Sequence, residues 1–160
     1  IASVLFIERN KRAYLSRVTE VAEEHIEQTQ KEIPSVPAEM VEDALRNLYD
    51  FSYLADTPLA GLELVKKKLT GNKNHLERGK AVQAVLLETL EEMRPSREVP
   101  PRDPPPREWY PYLILRDAYL EEVSNRDIML KLYISEGTFN RTRRAAVRSL
   151  ARALTEMEHA

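Results

Sequence analysis

Four arginines, Arg141, Arg144, Arg148 and Arg152, recur at intervals of three, four and four residues. At about 100° of turn per residue, that spacing gathers them on one side of a helix. Between Gly137 and Thr155 there is one further arginine, Arg143, and no acid. A guanidinium is a planar, permanently charged fork that matches a phosphate or the O6/N7 edge of guanine. The chemistry such a stripe offers is therefore nucleic-acid binding, and the bland alternative is a solvated helix face. The neighbouring elements decide between the two.

The opposite side of this stretch carries Phe139, Ala146, Val147, Leu150, Ala153 and Leu154. That pattern predicts a long amphipathic helix from Glu136 to about Met157. Arg143 falls near its apolar side, so it is expected to snorkel or pair instead of joining the stripe. Ser135 is placed to cap the helix, with Ile134 before it as a hydrophobic anchor. Upstream, Ser124 followed by Asp127 matches a capping box for a short helix over about Asn125–Tyr133, with Ile128, Met129 and Leu132 facing inward. Two helices joined by Tyr133-Ile134-Ser135 fit a helix-turn-helix.

The rest of the chain reads as all-α. Its 160 residues hold one medium domain or two small ones. Six of ten prolines crowd into Arg94–Arg107, which predicts an extended proline-rich linker. Residues 1–93 are then an N-terminal helical bundle, 94–107 the linker, and 108–160 a C-terminal helix-turn-helix domain. In the bundle, Tyr14, Val18, Val21 and His25 begin one stripe, ended by Pro34 and Pro37. A second helix is predicted over about Ala38–Leu54, with Val41, Ala44, Leu45, Leu48 and Phe51 inward. A third spans about Pro58–Leu69, capped by Thr57 and stopped near Gly71. A fourth carries Val82, Val85, Leu86, Thr89, Leu90 and Met93. Beyond the linker, Trp109, Tyr112, Leu115, Tyr119 and Leu120 extend a helix to about Glu122. The Tyr14–His25 stripe is the candidate surface for a homodimer or a larger protein assembly, its alternative being burial in the bundle's own core.

The formal net charge is −2, so any nucleic-acid contact rests on the local arginine patch and not on the global field. With no Cys, thiolate metal sites and thiol catalysis are excluded. His25, His75 and His159 are scattered without metal-ligand spacing, so no metal is expected. The run LTGNKNHLERGK lacks the glycine spacing of a phosphate-binding loop, no nucleophile and base are paired, and no cofactor or enzyme activity is expected. No apolar run approaches the roughly 18–20 residues of a membrane span. The opening residue Ile1 fits a chain that begins inside a longer polypeptide, and a cytoplasmic location is expected.

Residues Tyr112–Leu154 resemble the helix-turn-helix of sigma factor region 4 and of LuxR-type response regulators. The matching positions are Val123, Ser124, Asp127-Ile128, Leu132, Ile134-Ser135 and Thr138-Phe139; Met129 stands where a small residue is usual and Tyr133 where glycine is common. The resemblance implies a bacterial transcription regulator whose helix from Glu136 enters the major groove of double-stranded DNA. It places Glu136, Asn140, Arg141 and Arg144 at base edges, and Thr138, Arg148 and Arg152 on phosphates. Glu136 lies nearer the apolar side by helical geometry. The rival expectation is an adaptor region of a larger signalling protein that uses the same fold for protein contacts, with acids near Glu39, Glu42, Asp43 and Asp50 docked on the arginine stripe.

Overall fold

Residues 35–160 are described here in a computed structural model. Every secondary-structure element among them is helical, so the all-α expectation holds. No helix among the described residues is long and apolar enough to cross a membrane. The expected Tyr14–His25 helix lies outside the described residues.

The helix expected over 38–54 is two helices, α1 (Ala38–Arg46) and α2 (Phe51–Ala55). Asn and Asp side chains compete for backbone groups and favour turns over helix interiors. Here the Asn47 amide donates to the Asp43 carbonyl at 2.9 Å, and Asp50 accepts from the Tyr53 amide at 3.0 Å to start α2. Val41, Ala44, Leu45 and Leu48 are nevertheless buried as their spacing predicts.

The third expected helix is also divided, into a 3-10 turn at Pro58–Gly61 and the short α3 (Glu63–Lys66), with Leu62 extended between them. Thr57 does not cap; its hydroxyl donates to the Leu54 carbonyl at 2.7 Å. The open amides of α3 are met from far along the chain, where the Glu158 carboxylate accepts from Glu63 at 2.8 Å and Leu64 at 3.1 Å. A carboxylate on a helix N-terminus satisfies the unpaired donors and the dipole together.

Helix α4 (His75–Glu91) begins at Asn74, which accepts from the Glu77 amide at 2.8 Å. Its stripe Val82, Val85, Leu86, Thr89 and Leu90 is buried. Gly79 is where α2 crosses it: a Cβ there would stand 1.9 Å from the Phe51 carbonyl oxygen. Only glycine permits that approach.

The largest departure concerns the proline-rich stretch. It was expected to separate two domains, yet Val36–Ala160 forms one compact unit. Leu45, Leu86 and Leu90 from before the prolines share a core with Trp109, Ile114, Phe139, Leu150 and Leu154 from after them. The cause is visible at the ends of the stretch. Arg94 donates to the carbonyls of Ser96, Arg97 and Glu98 at 3.2, 3.2 and 3.0 Å. Its guanidinium lies 5.6 Å from the Trp109 ring centre and 5.5 Å from that of Tyr112, cation–π distances. The Tyr112 hydroxyl then donates to Glu91 at 2.7 Å. Stiff as it is, the stretch folds back as a pinned loop.

After a 3-10 turn at Arg107–Trp109 comes α5 (Tyr110–Leu115), in which Tyr112, Leu113, Ile114 and Leu115 are all buried. A helix apolar all round sits at the centre of a core. It widens into a π-type turn at Arg116–Leu120, and Glu122, at φ 55°, ends the run. Two more helices follow among the described residues, α6 (Asn125–Leu132) and α7 (Glu136–Glu158).

Candidate nucleic-acid interface

Helix α6 starts where its cap predicts: the Ser124 hydroxyl accepts from the Asp127 amide at 3.1 Å. Ile128 and Leu132 are buried and Met129 is half-buried. Behind α6, Asp117 is 2% exposed. It accepts from Arg116 at 2.7 and 2.9 Å and from Lys131 of α6 at 3.0 Å. A buried carboxylate is stable only when paired in this way, so Asp117 ties α6 to the π-type turn.

Tyr133 ends α6 in the left-handed conformation, φ 57° and ψ 47°. Glycine takes this conformation without strain; here tyrosine takes it, and the residue is 78% exposed. The Ile134 amide closes the turn on the Met129 carbonyl at 3.1 Å. Ser135 then caps α7, accepting from the Thr138 amide at 3.2 Å.

Helix α7 buries Phe139, Ala146, Val147, Leu150, Ala151 and Leu154. The buried face is rotated toward Ala151, leaving Ala153 half-exposed. Arg143 lies along this face and pairs with Glu42 of α1 and with the Tyr119 hydroxyl, as its place on the helix predicts. Burial works against its charge, but these hydrogen bonds outweigh that and raise its pKa above the ordinary arginine value.

Arg141, Arg144, Arg148 and Arg152 are all exposed. The stripe is about 16 Å long at 1.5 Å per residue. None of the four has an acid partner among the described residues. Three of the four acids expected near it are engaged elsewhere: Glu42 with Arg143 and Arg46, Asp43 with the Tyr53 hydroxyl, and Asp50 as the cap of α2. Glu136 is exposed and Asn140 is half-buried. Thr138 is occupied locally. Its hydroxyl meets Ser135 at 3.2 Å and accepts from Arg141 at 3.3 Å, so it holds Arg141 in place.

Arg107 escaped the sequence reading because it stands at the end of the proline-rich stretch, far from the stripe in sequence. The fold brings it to a cleft beside the start of α7. Asp117 carried a signal, an acid three residues after Ile114 on an otherwise apolar face.

Comparison of the chain with protein-family models, with curated proteins and with solved structures finds no match.

Proposed function

We propose that this chain is a DNA-binding transcription regulator, with α6 and α7 as its helix-turn-helix and α7, from Glu136, lying in the major groove of double-stranded DNA. The observation that carries the reading is the division of α7. One face is buried, its arginine already neutralised by Glu42, while four arginines stand open on the other. A solvated face has no need of such sorting, since acids would serve there equally well. In this reading Arg141 and Arg144 reach base edges with Asn140 and Glu136, and Arg148 and Arg152 grip phosphates, with Thr138 holding Arg141. One such unit makes few contacts, so a homodimer or a larger assembly through the N-terminal region completes the reader.

The test uses the whole chain, because α7 shares its core with α1 and α4. Fluorescence anisotropy with a random-sequence duplex should give an affinity that falls steeply as salt rises. On a selected target duplex, Arg144→Ala should cost about 1–3 kcal/mol if it holds a guanine. Absence of duplex binding even at low salt would favour the adaptor role instead.

A further inference from the structure

Beside the start of α7 lies a cleft of about 480 Å³ lined in part by Arg107, Tyr110, Tyr133, Ser135, Thr138 and Arg141, with no Asp or Glu in its wall. We propose that this cleft seats a phosphate of the DNA backbone, so that the Arg107–Trp109 turn, outside the two-helix unit, is part of the DNA interface. The inference rests on the DNA-binding reading and extends it to a second element.

Two cations face the cleft from different parts of the fold. Arg107 is exposed and has no acid partner among the described residues. Arg141 is already oriented: its Nη2 donates to the Thr138 hydroxyl at 3.3 Å. Its Nη1 lies where a Cβ on Gly137 would come within 3.2 Å, so the guanidinium is folded back over the first turn of α7. There it adds to the positive end of the helix dipole, next to the cap at Ser135. The Tyr110 hydroxyl donates to the Leu132 carbonyl at 3.3 Å and fixes that side of the cleft to the end of α6. Tyr133, exposed and left-handed at φ 57°, also lines the cleft. Two guanidiniums in a cleft whose lining holds no acid, one of them held by a threonine, suit a singly charged phosphodiester. The cleft is continuous with the stripe through Arg141, so a strand lying along α7 passes over it.

The experiment is a salt titration of random-sequence duplex binding by the full chain, by Arg107→Ala and by Arg107→Lys. Arg107→Ala is expected to weaken binding about three- to tenfold on any duplex and to shallow the slope of log affinity against log salt by about 1. Arg107→Lys, which keeps a point charge, should restore most of the slope. If the wild type binds and Arg107→Ala has the same affinity and slope, the cleft assignment is overturned while DNA binding stands. Absence of binding by the wild type overturns both. A second arm follows the amides of Ser135–Thr138 by NMR during titration with inorganic phosphate. Shifts there, with duplex binding untouched by Arg107→Ala, would make the cleft a site for a free anion and overturn the backbone assignment.

Discussion

Arg143 of α7 and Glu42 of α1, 101 residues apart, form an ion pair beside the Tyr119 hydroxyl, while the next residue, Arg144, is exposed with no acid partner among the described residues. Adjacent arginines thus take opposite roles. One joins α7 to the rest of the fold, and the other faces outward at the proposed interface.

Arg143→Ala should therefore lower stability and spare duplex affinity. Removing Arg143 leaves the partly buried Glu42 with only Arg46, its exposed neighbour one turn along α1, at a cost of about 1–3 kcal/mol in urea unfolding. A double-mutant cycle with Glu42→Gln should give a coupling of about 1 kcal/mol. Strict additivity would show that the pair contributes nothing.

Gly79→Ala should be among the most damaging single-methyl changes. The added carbon would stand 1.9 Å from the Phe51 carbonyl oxygen, a backbone atom that moves only if α2 shifts off α4. The expected loss is roughly 1–3 kcal/mol or more, the cost of overpacking. Unchanged thermal stability would mean that α2 and α4 are not in close contact at this point.

Tyr133→Gly should act in the opposite direction. At φ 57° the tyrosine carries the cost of a left-handed backbone. Glycine removes that cost, partly offset by its greater freedom when unfolded, for a net gain of about 1 kcal/mol. A fall in melting temperature would show that the exposed ring contributes more than the backbone strain costs.

Alkaline pH should weaken the fold through Tyr112. Burial, and then the hydrogen bond to Glu91, hold its phenol above the ordinary value of 10.0. The folded state therefore keeps the proton where the unfolded chain has lost it. This contribution is complete below pH 10 and disappears as pH rises through the higher folded-state value. Tyr112→Phe should be less sensitive than the wild type to alkaline unfolding; identical profiles would exclude Tyr112 as the source.

Much of the helical pattern was legible because periodicity reports burial directly. Val82, Val85, Leu86, Thr89 and Leu90 are buried as spaced, and both serine caps hold. The breaks were harder to read. Asn47 and Asp50 divide one expected helix because their side chains bond the backbone, a preference that periodicity does not register. The greater difficulty was distance. Glu158 capping α3 and Arg94 stacking on Trp109 are contacts between residues that local sequence cannot pair. For that reason the proline-rich stretch read as a spacer, whereas both its ends are pinned to one core. At the candidate site, the stripe and the pairing of Arg143 followed from helical angles. Arg107 did not, since only the fold brings it beside Arg141.

The open arginine face of α7 is proposed to bind duplex DNA. Its most direct test is the mobility shift of a random-sequence duplex by the full chain, beside the double variant Arg141→Ala/Arg144→Ala. Both arginines are exposed, so the variant should keep the wild-type fold. A shift is expected at low salt that fades as salt rises and is largely lost in the double variant. A shift of equal strength in both proteins would contradict it.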